Sequence, residues 1–359
     1  MTKDESEQIF GWIEKSQRYS FNKSHAVSYA FNAYLSAFSK AHFPKIFFAS
    51  YLKYAKDKID PQQEIKELVK NATDMNISIS VPDLRLLNDF FKIANSQIYF
   101  GLTDIKGVGK SVYDKIILLN EKHNIAKLNW QQICIKILLN INSIASKALI
   151  LSGALDYTNI SRTKMMFEYE IFSSLTKKEV EYIDSLDAID FDLAQILNVL
   201  CKKPRITKNR ISIIQGLRDS VIKPPYSLED KIEMLCDNET ELLGINLTYC
   251  KVDSYDISMT NMTCKDFKNN ISSIKEIILA GEIDDVSIIK IKNGQNKGKD
   301  MAFVSIKDST GYLEGIIFFS DQLSLYRNQL FIGNILIFQG KRSDRKNDLL
   351  VNKCYSISP

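Results

Sequence analysis

The hydrophobic period of this chain changes in its last third, and that change narrows the architecture more than any other feature. Before residue 200, apolar side chains recur at helical spacing, three and four residues apart. From residue 277 they gather in short runs rich in Ile and Val, at 277–291, 301–306, 313–319, 335–340 and 349–355. A helical stretch at 320–329 precedes the fourth run. Five strands with one helix ahead of the fourth is the order of an OB-fold, a small Greek-key barrel that commonly binds single-stranded nucleic acid.

The upstream part reads as helices. Ile9, Phe10, Trp12 and Ile13 fit one helix over 5–18, and an Ala-, Tyr- and Phe-rich helix covers 25–40 and ends near Pro44. Ile65, Leu68 and Val69 share one side of an amphipathic stretch at 60–72. An irregular segment at 77–84, turning at Pro82-Asp83, leads to a short strand at 97–102. Helical periodicity resumes at Lys110 after Gly107 and Gly109, with further helices at 127–140, 143–152 and 162–174. Lys202, Lys203, Arg205, Lys208 and Arg210 crowd a stretch that also holds Pro204, and Pro224-Pro225 follow, which reads as a linker or an exposed basic edge. The expected fold class is multidomain, mainly α over the first two-thirds and all-β at the end.

Bulk properties exclude several classes. A length of 359 residues exceeds one comfortable core, and roughly two to three domains is the natural division. With 45% hydrophobic and 25% charged residues the chain is globular rather than disordered. Its net charge of +4 is compatible with nucleic acid without demanding it. The six cysteines are scattered and only three histidines are present, so a metal site lacks raw material and inert, reduced thiols are expected. The polar, acidic start is unlike a signal peptide, and no apolar run reaches the ~20 residues that span a bilayer. The expectation is a cytoplasmic protein, in a bacterial cell or a phage-infected host, with no membrane contact.

Three segments carry chemistry. In Ile105-Lys106-Gly107-Val108-Gly109-Lys110-Ser111, two glycines flank one apolar residue and open a helix, as in a helix-hairpin-helix. Glycine permits the tight turn, the exposed N–H groups at the helix start hold a phosphate oxygen, Val108 plugs the core, and Lys106 and Lys110 add charge. Such a turn grips the DNA backbone without reading its sequence. The Walker spacing is absent, so this is no P-loop. In Asn22-Lys23-Ser24-His25, Lys23 and His25 stand as a donor pair at a helix entrance. Residues alone leave that segment open between an anion site and an ordinary cap provided by Ser24. The third segment is a basic turn, with Gly294, Gln295, Lys297 and Lys299, leading into a strand that carries Phe303. Charge beside a stacking ring suits a single strand, whereas Phe303 in the barrel core makes the same turn an ordinary hairpin.

Taken in order, these segments resemble the α subunit of bacterial DNA polymerase III, the family C replicative polymerases. The stretch from Ile9-Phe10-Gly11-Trp12 to Phe21-Asn22-Lys23-Ser24-His25-Ala26, continued by Ala41-His42-Phe43-Pro44, looks like that family's fingers. Tyr99-Phe100-Gly101-Leu102-Thr103-Asp104, running into the glycine turn, is similar to its helix-hairpin-helix entry, and Leu151-Ser152-Gly153-Ala154-Leu155-Asp156 resembles the end of the paired helical unit. Glu241-Leu242-Leu243-Gly244-Ile245-Asn246-Leu247 resembles the segment before the OB-fold, and 299–308 its second strand. Ser20 departs from the family by replacing a glycine.

The resemblance implies fingers over 1–85, a helix-hairpin-helix DNA-binding domain over 86–200, a basic connecting segment over 201–270 and an OB-fold over 271–359. Asn22, Lys23, Ser24 and His25 are expected beside the triphosphate of an incoming deoxynucleotide. Primer-template DNA is expected at Lys106, Gly107, Val108, Gly109, Lys110 and Ser111, and single-stranded template at Lys297, Lys299 and Phe303. The family's palm precedes the fingers, so the catalytic carboxylates and their Mg2+ are expected on a separately encoded palm-bearing chain, docked against Phe10, Trp12 and Ile13. No catalytic residue, metal or cofactor is assigned to this chain, which is expected to be inactive alone. For the family's sliding-clamp motif the candidate is Gln195-Ile196-Leu197-Asn198-Val199-Leu200, which lacks the terminal aromatic. The competing expectation is an accessory single-strand or junction-binding protein built from helix-hairpin-helix and OB units.

Overall fold

Prolines and short polar side chains mark where the helices begin. The computed structural model describes residues 2–17, 23–186, 191–269, 276–293, 296–343 and 347–357, with Lys23 described by its backbone alone. Ser20, Phe21, Asn22, Gly294 and Gln295 therefore lie outside the described residues. Helices α1 (Lys3–Gln17) and α2 (Lys23–His42) come first. Pro44 and Pro61 then open α3 (Pro44–Ala55) and α4 (Pro61–Asp74), where a missing N–H costs nothing. In α3 the apolar spacing buries Phe48, Leu52 and Ala55 against α4, which buries Leu68, Val69 and Ala72.

A small sheet follows, with β1 (Ile79–Ser80), β2 (Lys92–Ala94) and β3 (Gln97–Tyr99) in the order β1-β3-β2. Asn95 and Ser96, both at positive φ, close the β2–β3 hairpin as a two-residue turn. Next come α5 (Lys110–His123), α6 (Trp130–Lys136), α7 (Ser143–Leu151) and α8 (Arg162–Ser173). Asn129, Asn142 and Ser161 cap the last three, each accepting a backbone N–H of the first turn.

The region expected to be a linker holds helices. The chain continues through α9 (Lys177–Ser185), α10 (Leu193–Cys201), α11 (Lys208–Ile222), α12 (Ile232–Leu243) and the short α13 (Cys264–Lys268). Capping boxes at Thr176 with Glu179 and Asp192 with Gln195 start α9 and α10. Ile196, Leu197 and Leu200 turn inward from α10, and Ile214 meets them from α11. Arg210 is no free basic edge: its guanidinium donates to Glu179 at 2.7 and 2.8 Å.

That pair has a pH consequence. The hydrogen bond from Arg210 is the largest influence on Glu179 and holds its carboxyl at about 2. A depressed folded-state pKa contributes stability that is complete above the unfolded value, about 4.5, and is lost as pH falls toward about 2. Glu179→Gln should therefore flatten the acid limb of stability against pH over that window, read by thermal unfolding at stepped pH. An acid limb identical to that of the parent would show that the pair contributes no linkage.

The last third closes into a barrel of five strands: β4 (Ile277–Lys290), β5 (Asp300–Asp308), β6 (Gly311–Phe318), β7 (Ile335–Arg342) and β8 (Leu349–Ser356). Their order around the barrel is β4-β5-β6-β8-β7, with β6 and β8 parallel, and α14 (Ser320–Tyr326) lies between β6 and β7. This is the OB arrangement. Ala302, Val304 and Ile306 point inward from β5 to meet Leu279, Ile316, Phe318 and Phe338.

Two apolar cores result. One runs from Phe48 to Ile245 through the helices, and the other fills the barrel. Between them α4 is tied to the barrel by Lys66 with Asp284 at 2.6 Å and Lys70 with Glu314, and to α13 by Asp74 with Lys268 at 2.7 Å. A third, smaller cluster seats Cys250 and Val252 on Ala280, Ile335 and Ile337, tying the segment after α12 to the outside of β4 and β7.

Candidate nucleic-acid interface

The turn that precedes α5 is held from below and open above. Ile105 and Val108 are buried, and the Val108 N–H donates to the Ile105 carbonyl at 3.0 Å. The Lys106 N–H donates to the Leu242 carbonyl at the end of α12, at 2.9 Å. Gly107 takes φ +95°, a conformation that disfavours any Cβ, and an added Cβ would lie 3.2 Å from Ile144. Gly109 differs. It is the N-cap of α5 at φ −83°, which any residue adopts, and its added Cβ would meet open space. Gly107 shapes the turn, whereas Gly109 keeps its outer side clear.

The first N–H groups of α5, at Lys110 and Ser111, have no acceptor in the preceding turn of their own helix and face outward beside the positive end of its dipole. Lys106, Lys110 and Ser111 are exposed. Lys110 is engaged with carboxylates, at 2.8 Å from Asp89 and 3.4 Å from Asp114. Burial pushes the Asp89 carboxyl up, but hydrogen bonds from Lys110 and Thr103 outweigh it and hold the group below its ordinary value. Lys106 therefore brings the less compensated charge to the turn, and Lys110 anchors the loop beside it.

A second turn, at Leu151–Asp156, is built alike and finished differently. Gly153 takes φ +86°, and an added Cβ would fall 2.3 Å from the Arg162 guanidinium. Arg162, 2% exposed, donates to Asp156 at 2.7 and 2.9 Å, to the Leu151 carbonyl at 3.0 Å and to Glu239 at 2.8 Å. Glu239 in turn accepts from the Leu247 and Thr248 N–H groups and the Thr248 hydroxyl at 2.6–3.0 Å. The second turn is thus sealed by an internal cation, and the first is the one available to a phosphate.

The other expected residues sit apart. Ser24 and His25 lie exposed in the first turn of α2; the Ser24 carbonyl accepts from Ser28 at 2.9 Å, and the His25 ring packs edge-on to Tyr29 at 4.4 Å. On the barrel, Lys297 and Lys299 are exposed in the β4–β5 turn. Phe303 is half-buried on the outer face of β5, between Ser287 and Ile317 of the neighbouring strands, and so is not part of the barrel core. The ring thus stands on the outer face of the strand that follows the basic turn, where a base could stack on it. Phe303→Ala should leave the barrel folded and weaken single-strand binding by about 1–3 kcal/mol. Titration of an unstructured oligonucleotide checks this, and undiminished affinity would remove Phe303 from the interface. The glutamine-led segment at 195–200 is helical in α10 with Ile196, Leu197 and Leu200 buried, so it is not displayed as a peptide.

Comparisons with known proteins agree with this geometry. A helix-hairpin-helix motif model matches residues 76–165, which contain both glycine turns. DNA polymerase III subunit alpha of Staphylococcus aureus is 28% identical over 365 aligned positions, covering 99% of this chain and 30% of that protein. The subunit of the same name in Buchnera aphidicola is 28% identical over 340 positions, 92% of this chain and 27% of that protein. The chain is homologous to the C-terminal region of DNA polymerase III alpha. It spans about 30% of the length of the relatives it matches.

Sequence reading missed the buried Arg162–Glu239 pair, whose members lie 77 positions apart with no shared motif. Among the described residues no group of three His, Cys, Asp or Glu side chains could hold a metal ion, and no helix is long and apolar enough to cross a membrane.

Proposed function

We propose that these residues form the DNA- and nucleotide-gripping C-terminal part of a DNA polymerase of the DNA polymerase III α type, acting in replication in the cytoplasm of a bacterial cell or phage-infected host. The open turn at Gly107–Ser111, inside a chain homologous to the polymerase subunit along almost its whole length, carries this reading. The turn and the start of α5 hold backbone phosphates of primer-template DNA, and the barrel turn with Lys297, Lys299 and Phe303 tracks the single-stranded template. Asn22, Lys23, Ser24 and His25 face the incoming deoxynucleotide. The palm carboxylates and their Mg2+ are supplied by a palm-bearing part of the polymerase outside these residues, and these residues alone incorporate no nucleotide.

Helices α1 and α2 support the partnership. None of the described side chains of either helix is buried, yet Phe10 is 68% and Trp12 65% exposed, with Ile13, Tyr29, Phe31 and Tyr34 exposed beside them. An apolar surface of that extent marks an interaction site, and the palm-bearing part of the polymerase is its occupant here.

The test is reconstitution. The purified chain should bind duplex DNA in a salt-sensitive manner and show no incorporation, and addition of a palm-bearing chain should yield both a stable complex and primer extension. Extension by the chain alone would overturn the assignment of catalysis to a partner. Failure of any palm-bearing chain to bind would overturn the partnership, and failure to bind DNA would overturn the reading as a whole.

A further inference from the structure

Beside the open turn, the last turn of α3 and its C-cap residue present two lysines on a single aromatic ring. Lys53 and Lys56, three residues apart on one helix face, hold their ammonium groups 5.3 and 3.5 Å from the centroid of Phe90. A ring fixes a cation through its quadrupole and carries no net charge, so it orders both lysines without neutralising them. Carboxylates compensate only in part: among the described residues Lys53 is in no ion pair, whereas Lys56 stands 4.0 Å from Asp104 and close enough to Asp89 to help hold that carboxyl down.

The ring itself is well held. Asn88 donates to the Phe90 and Phe100 carbonyls at 2.7 and 3.0 Å. The loop crosses so close over Gly101 that an added Cβ there would stand 2.2 Å from the Asp89 carbonyl and 2.4 Å from the Phe90 Cα. Asp89, the next residue, is the carboxylate that grips Lys110 at the start of α5. One loop therefore joins the lysine pair at the end of α3 to the open turn.

We propose that Lys53, Lys56 and Phe90 form a second phosphate contact, a shelf that continues the grip of the Gly107–Ser111 turn along the phosphodiester backbone of duplex DNA. The contact is electrostatic and reads no sequence, as expected of ammonium groups held on a ring with no base-edge donor set. This inference rests on the DNA-binding role proposed above.

The full chain carrying Lys53→Met and Lys56→Met tests it, because methionine keeps an apolar stem on the ring while removing the charge. Duplex affinity is measured against salt for the parent, this double variant and Lys106→Ala. The double variant should bind about tenfold more weakly on every duplex sequence, with the salt slope reduced by about 2, at roughly 0.9 per phosphate contact. An unchanged slope in the double variant, with a reduced one in Lys106→Ala, would overturn the shelf and leave the hairpin intact. Unchanged slopes in both would overturn the hairpin reading as well. Loss of deoxynucleoside triphosphate binding with duplex affinity unaltered would assign the lysines to the nucleotide and overturn the backbone contact.

Discussion

Arg162→Met should lower the stability of the helical part by about 3–5 kcal/mol, the cost of leaving one member of a buried ion pair without its partner. Glu239 is fully buried and accepts from the Arg162 guanidinium at 2.8 Å; without that cation it keeps only the Thr248 hydroxyl and two backbone N–H groups. Urea unfolding followed by tryptophan fluorescence reads the loss, because Trp130 is buried in this core and donates to Glu168 at 2.6 Å. Adding Glu239→Leu should restore only part of it. The second change removes the unpaired carboxylate but strips the Leu247 and Thr248 N–H groups of their acceptor. Full recovery in the double variant would mean that Glu239 does not hold the 247–248 segment. A loss below about 1 kcal/mol for the single change would mean that the pair is effectively solvated.

Gly107→Val should abolish duplex binding at a concentration where Gly109→Ala still binds. Valine at φ +95° is strained by its branched Cβ, and that Cβ also meets Ile144 at 3.2 Å. The strain is relieved only by moving the turn, which displaces Val108 from the core and turns away the N–H groups at the start of α5. The turn is set by its own dihedrals, so we expect a binding loss of at least a hundredfold, about 2.7 kcal/mol. Gly109→Ala adds a methyl group in open space at an ordinary φ, so the fold is kept and only the approach of a phosphate is obstructed, by about tenfold. Equal binding by the two variants would show that the turn's shape is not what the DNA engages.

Much of this was legible in local pattern. The five strand runs and the helix before the fourth correspond to β4 through β8 and α14, because alternation along a strand is set by residues two apart. The hairpin turn was legible for a similar reason: Gly-Val-Gly ahead of a helix is a backbone instruction. Helices α11 and α12 were missed because the charge and proline at 202–225 were read as a linker, and α9 and α10 were missed although Thr176 with Glu179 and Asp192 with Gln195 announce them. Lys110 was read as a phosphate ligand, but its partner Asp89 stands 21 positions away and had no local sign.

By itself, then, the sequence determined the helical character of most of the first half, the barrel at the end of the chain and the turn before α5, all of which follow from neighbours a few residues apart. Only the tertiary structure decided which of the two glycine turns is open, since Arg162 seals the second by reaching Glu239 across 77 positions. It also placed Phe303 outside the barrel core and brought Lys53 and Lys56, at the end of α3, over Phe90 beside the open turn. Those placements depend on which surfaces bury one another when distant segments pack. Buried charges choose partners by proximity in space, and periodicity along the chain carries no record of that.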